Sequence, residues 1–238
     1  LIYQTIMSGK PCMVGRIGAT EIRNIEGVLH QNGSLWQKIK WCLTFHQTGP
    51  SKKLQKSWLT AEDHPDDAFF ERFTAMMLED MKCLDIFASW RWEESGVFQK
   101  PYHFKVISLG DLEPFFSETP WTRALAGKTV LIVHPFAEDI IRQYSNREKL
   151  FPKMEILPEF TLKTYIPFFK GLGRNPAESN WFANLEQMKE EISVLNFDVA
   201  LIAAGAYGFP LAAHVKRMNR QAVLMGGVLQ LLFGIKGA

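Results

Sequence analysis

Apolar residues in this chain fall into two kinds of pattern. Short, largely apolar runs, at residues 12–16, 128–134, 199–203 and 222–225, are buried on both faces if extended, as strands of a parallel sheet are. Between them stand stretches with helical spacing, at 20–30, 68–82, 137–150 and 181–195. In 68–82 an apolar face is formed by Phe69, Phe70, Phe73, Met76, Met77 and Met81. Asp63 to Asp67, with Pro65, supplies helix-start chemistry just ahead of that face. Further strands are predicted at 85–90, 104–109 and 160–166, a second helix at 35–45, and irregular chain at 51–60 and 115–119.

Strands alternating with helices predict an α/β fold, Rossmann-like, with a mainly parallel sheet flanked by helices. No linker, repeat or low-complexity tract divides the chain. Residues 1–238 are therefore read as a single α/β domain with an α-helical insertion near 35–83.

Composition narrows the function only by exclusion. With 47% hydrophobic and 22% charged residues over 238 positions, a large core is expected and disorder is not. A net charge of +2 is too small to mark a nucleic-acid partner. No run approaches the roughly 20 apolar residues that span a bilayer. Cys12, Cys42 and Cys83 form no CxxC pair, so a reducing, cytoplasmic setting is the simpler reading. The chain begins at Leu1 rather than Met and reads as a piece of a longer protein.

The chemistry gathers where predicted strands end. After the run at 199–203 comes a turn at Gly205, Ala206, Tyr207 and Gly208, then a helical pattern. Such a turn brings backbone N–H groups and a helix start to the carboxyl end of a strand, where phosphates bind. It is not a full dinucleotide fingerprint, since Ala203 stands in the first glycine place. The alternative is that Gly205 and Gly208 merely permit close strand–helix packing.

Arg16 follows the first strand, Gly18 permits a turn, and Glu21 falls in the next helix's first turn. A guanidinium there can hold phosphate oxygens in a fork, and a carboxylate can ligate a divalent ion or act as a base. An ordinary Glu–dipole interaction with an Arg16 pair explains the same residues equally well. His134 ends another strand, as a phosphate contact, a proton carrier or a structural imidazole. Asp111 with Glu113 forms a weak metal-binding pattern. Gln143 and Arg147 make a polar helix face, and Trp90, Trp92 and Trp121 are candidate stacking surfaces.

Taken together, Arg16 to Glu21, Leu112 to Phe115, Pro120 with Trp121, the strand at 127–136, Ala203 to Gly208 and the pair Gly226–Gly227 resemble the GT-D-type glycosyltransferase family and its GT-D-like relatives. The resemblance implies transfer of a sugar from a nucleotide-sugar donor to a glycan or polysaccharide acceptor. It implies donor contacts from Gly18, His134 and the turn Gly205 to Gly208, and catalytic roles for Arg16 and Glu21. The family's Arg-x-Gly-Asp-x-Glu pattern serves a divalent metal, manganese or magnesium. Here Ala19 stands in the Asp place, leaving Glu21 as the metal-side carboxylate. That departure keeps a second expectation open, a non-catalytic module that binds nucleotide-sugar or glycan. A nucleotide or phosphate-ester hydrolase on the same fold is a third.

Overall fold

The first strand, β1 (Cys12–Gly15), is buried at every position, and its neighbours explain why. The structure, a computed structural model, describes residues 1–33, 65–91, 94–98, 103–152, 155–169, 174–175 and 180–236. In chain order these give α1 (Ile2–Met7), β1, α2 (Ala19–Gln31), α3 (Asp67–Met81), β2 (Ile86–Ser89), α4 (Glu94–Val97), β3 (Lys105–Ser108), α5 (Leu109–Leu112), β4 (Thr129–Val133), α6 (Ala137–Tyr144), α7 (Arg147–Leu150), β5 (Thr161–Tyr165), α8 (Trp181–Ser193), β6 (Val199–Ile202), α9 (Gly208–Arg217) and β7 (Gln221–Leu224). The strands form one seven-stranded sheet in the order β3-β2-β1-β7-β6-β4-β5, and every pairing among them is parallel.

A layer of helices covers each face. On one side Ile22 of α2, Phe73 of α3, Trp181 of α8 and Leu211 of α9 meet in a single apolar cluster. On the other, Ile6 of α1, Ile140 of α6 and Leu232 join Val14, Ile132 and Val223 from the alternate strand positions. This is why β1, β6 and β7 read as unbroken apolar runs: both faces are spoken for. Each fully buried Val, Leu or Ile there contributes about 2 kcal/mol.

Local chemistry sets the helix starts. The Asp66 side chain accepts the Phe69 N–H at 2.8 Å and caps α3. The Asn180 side chain accepts from Phe182 and Ala183 at 2.9 and 3.2 Å and caps α8. Two expectations need correction. The helix predicted over 137–150 is broken, because α6 ends at Tyr144. The Tyr144 hydroxyl accepts the Phe160 N–H at 2.7 Å and donates to the Phe160 carbonyl at 2.8 Å, and the Ser145–Asn146 turn follows. The charged loop predicted at 91–94 also holds the first residue of α4. The predicted helix at 35–45 and the segment 51–60 lie outside the described residues. The described part of the expected helical insertion is α3, which packs in the same layer as α2 and α9.

The connections position the site. The chain leaving β6 runs into α9 on the first face, whereas the chain leaving adjacent β4 runs into α6 on the second. Neighbouring strands whose exits part to opposite faces open a crevice at their carboxyl ends, where α/β sheets bind ligands. No helix among the described residues is long and apolar enough to cross a membrane.

Candidate functional site

A cavity of about 390 Å³ fills that crevice. Its walls come from the carboxyl ends of four adjacent strands: Arg16 and Gly18 after β1, Gly226 after β7, Gly205 after β6, and His134 after β4. The size lies within the roughly 300–1,000 Å³ common for small-molecule sites. Glu21 reaches the same cavity from the first turn of α2. Residues far apart in sequence, Arg16 and Gly205, therefore meet at one rim.

Arg16 is shaped into place by its neighbours. Its guanidinium lies across Gly226, where a Cβ would stand 2.7 Å from Nη2. Gly226 also has φ +67°, a conformation that glycine adopts at little cost. On another side Arg16 Cζ sits 5.2 Å from the centre of the Trp90 ring. Trp90 is itself held by its indole N–H, which donates to the Ile17 carbonyl at 3.0 Å. Burial pulls the Arg16 guanidinium below its ordinary value, and the charges of Glu21 and Glu113 oppose that pull. An arginine stays protonated regardless.

Glu21 occupies the third position of α2 and folds back over the helix start. A Cβ on Gly18 would lie 2.0 Å from Glu21 Oε2, so glycine is the residue that admits the carboxylate. Gly18 caps α2 without a side-chain bond. Burial pushes the Glu21 carboxyl above the usual range, with its own backbone N–H and Arg16 pulling it back.

His134 is buried, and the Phe136 N–H donates to its Nδ1 at 2.9 Å. With Nδ1 accepting, a neutral ring carries its proton on Nε2. Burial pushes the ring pKa down to about 4, so it is neutral at pH 7. The imidazole is therefore a hydrogen-bond donor rather than a carrier of positive charge.

The predicted turn after β6 divides. Gly205 has φ +53° and lines the cavity. Ala206 and Tyr207 are buried, the Tyr207 ring stacks on Trp181 at 4.7 Å, and the side chains of both lie away from the cavity. Gly208 faces Leu224, where a Cβ would meet Cδ1 at 2.7 Å, so it serves close packing. The helical stretch beginning at Gly205 carries neither a side-chain cap nor an acid in its first turn. The Tyr207 N–H donates to the Ala204 carbonyl at 3.1 Å and the Gly208 N–H to the Gly205 carbonyl, so an anion there would draw on the N–H groups of Gly205 and Ala206.

Other candidates are placed elsewhere. Asp111 caps α5 in a reciprocal box with Ser108. Trp121 is buried, its indole N–H bonded to the Leu112 carbonyl at 2.8 Å. Arg147 pairs with Glu159 at 3.3 Å, and neither it nor Gln143 lines the cavity. Trp92 lies outside the described residues. Reading strand ends for charge missed Phe136 and Phe169, which follow β4 and β5 and complete the wall. It missed Gln230 and the apolar floor of Met77 and Phe209 as well. The strand-end rule that found His134 also points to the two phenylalanines; the floor has no such signal.

Among the described residues no three His, Cys, Asp or Glu side chains gather to hold a metal ion. Among the described residues lining the cavity, Glu21 is the carboxylate beside the Arg16 guanidinium, whereas a divalent cation takes several oxygen ligands. Comparison of the chain with protein-family models, with curated proteins and with solved structures yields no match. The site is accordingly interpreted from its own chemistry.

Proposed function

We propose that the chain is a glycosyltransferase that moves a sugar from a nucleotide-sugar donor to a glycan or polysaccharide acceptor, as the resemblance to the GT-D-type family implies. The observation that carries this reading is the meeting of Arg16, Glu21, His134 and the Gly205 turn in one crevice at the carboxyl rim of a parallel sheet. The donor's diphosphate lies between Gly205 and Arg16. The acceptor hydroxyl oxygen attacks the sugar's anomeric carbon as the bond from that carbon to the diphosphate oxygen breaks. The leaving diphosphate takes the electron pair, and Arg16 with the N–H groups at Gly205 stabilises the charge that develops. Glu21 takes the hydroxyl proton, a task that a carboxyl raised by burial suits. Manganese or magnesium, if used, arrives bound to the diphosphate, with Glu21 the carboxylate beside it among the described residues. A cytoplasmic setting belongs to the same proposal, consistent with free Cys12 and Cys83.

A second reading rests on Ala19: without the family's Asp, the chain is a module that binds nucleotide-sugar or glycan and does not turn it over. Calorimetry with UDP-, GDP- and TDP-sugars, with and without manganese, tests both. Binding together with product release, lost in E21Q while binding persists, supports the enzyme. Binding with no product under any acceptor supports the module. No binding of any donor removes the enzyme and the nucleotide-sugar module, and no binding of a glycan either removes the module altogether.

A further inference from the structure

Resting on the reading above that the cavity takes a nucleoside diphosphate, we propose that the ligand lies in one direction across the sheet. Its base sits between Phe136 and Phe169 at the β4–β5 end, and its phosphates point toward Arg16 at the β1 end.

The cavity is chemically lopsided along the strand order. Its charged groups, Arg16 and Glu21, follow β1, and its aromatic rings, Phe136 and Phe169, follow β4 and β5. Between them lie β7 and β6, whose exits contribute Gly226 and Gly205. Strands about 4.8 Å apart put β1 and β4 about 14 Å from one another, a span suited to a nucleoside with its phosphates. The Gly205 turn stands mid-span, above β6, where the phosphates would begin.

Both rings line the crevice, and their chain neighbours anchor them differently. Phe136 leads into α6, whose Ile140 belongs to the second apolar cluster. Phe169 follows Phe168, which is buried in the first cluster beside Met188. A flat group at this end of the crevice therefore has two aromatic rings to meet. Phe136 is fixed by its backbone N–H on His134 Nδ1, and its ring lies 5.1 Å from the imidazole.

Phe169 is fixed from further away. Its N–H donates to the Arg174 carbonyl at 2.8 Å. The Arg174 guanidinium bonds Glu191 at 2.7 Å and the Tyr165 hydroxyl at 3.1 Å, and packs 3.9 Å from the centre of the Phe168 ring. Tyr165 closes the cluster through Glu191. The chain around Phe169 is thus tied to α8 and to the end of β5. Gly205 also bears on the ring: a Cβ there would lie 3.2 Å from Phe169 Cε2, so any other residue would push the aromatic wall. Aromatic stacking recognises the face of a base, and every base has one.

The experiment compares UDP with inorganic pyrophosphate, measured by calorimetry on the whole chain. F169L and F136L keep apolar volume and remove the aromatic face, and thermal melts check that both fold. We expect each to weaken UDP about tenfold while leaving pyrophosphate within about twofold. R16M should weaken both ligands. UDP affinity unchanged in both leucine variants overturns the orientation and leaves the anion site standing. So does wild-type protein that binds pyrophosphate but not UDP. Wild-type protein that binds neither overturns the nucleotide-sugar reading itself.

Discussion

At the amino ends of the strands, Asp85 accepts the Met13 N–H at 2.8 Å and pairs with Lys216 at 2.6 Å, and Asp198 accepts the Thr129 N–H at 2.7 Å. Gln221, buried, donates to the Ile6 and Lys10 carbonyls at 3.0 and 2.9 Å. At the carboxyl ends, Arg16 and Glu21 are desolvated as well, yet among the described residues neither closes a salt bridge. The same residue types finish one rim and leave the other unfinished. Desolvating a charge without a close partner costs stability, so a fold keeps such groups where a ligand supplies the partner. The comparison teaches where to look for function: charge that is taken from water and not returned to the protein.

Crossing one residue from each rim is the sharpest way to break that contrast. R16M removes a charge that closes no salt bridge among the described residues and that only offsets the nearby charges of Glu21 and Glu113, so its Tm should fall less than that of D85A. It should also weaken nucleoside diphosphate binding by about 100-fold, the scale of a lost charged hydrogen-bond pair. D85A should do the reverse. It leaves the Met13 N–H without its acceptor and Lys216 with only the Cys83 carbonyl, for a loss of about 1–3 kcal/mol in chemical denaturation, with ligand affinity unchanged in the folded fraction. A melting point in R16M below that of D85A would mean that Arg16 is structural and that the contrast is false.

Acid titration sharpens the carboxyl rim further, because buried His134 and half-buried Glu21 act with opposite sign. The folded state holds His134 neutral, with a pKa of about 4 against an ordinary 6.5. Its contribution is complete above pH 6.5 and is lost as pH falls through that window, up to about 3 kcal/mol. Glu21 has a raised folded value, so its contribution is present at low pH and is lost as pH rises through that value. Denaturation of wild type between pH 7 and 4 should show a falling acid limb that H134N flattens and E21Q steepens. An unchanged slope in H134N would assign the acid limb to other groups.

Much of the sheet was legible because its strands are covered on both faces, which writes them as apolar runs. The segments predicted at 12–16, 128–134 and 222–225 match β1, β4 and β7 to within a residue or two at each end. The break after Tyr144 was not legible, since it depends on a hydroxyl that finds the Phe160 backbone only in the folded chain. In the site, Arg16, Glu21 and His134 stood out as polar residues where strands end. Met77 and Phe209 read as ordinary core, because what opens them to a cavity is the parting of α6 and α9 to opposite faces. Gly205 and Gly208 looked alike in the sequence, and only backbone geometry separates a left-handed turn from a helical residue against Leu224.

That separation of glycines gives the smallest expected effects and the most local ones. In G18A the new methyl would meet the far end of the Glu21 side chain, at 2.0 Å from Oε2. The carboxylate can swing aside without moving backbone, and Gly18 has φ −70°, which alanine accepts. Stability should therefore change by less than about 1 kcal/mol, whereas turnover should fall toward that of E21Q. In G208A the methyl would meet Leu224 Cδ1 at 2.7 Å inside the packed layer between α9 and β7. There the collision is with core, so about 1–3 kcal/mol of stability should go, with ligand affinity kept in the folded fraction. If G18A lowers Tm as far as G208A does, Gly18 serves packing, as Gly208 does. If G208A alone costs stability and G18A alone costs turnover, the two glycines separate as the two rims do: one accommodates the core and the other accommodates the carboxylate at the site.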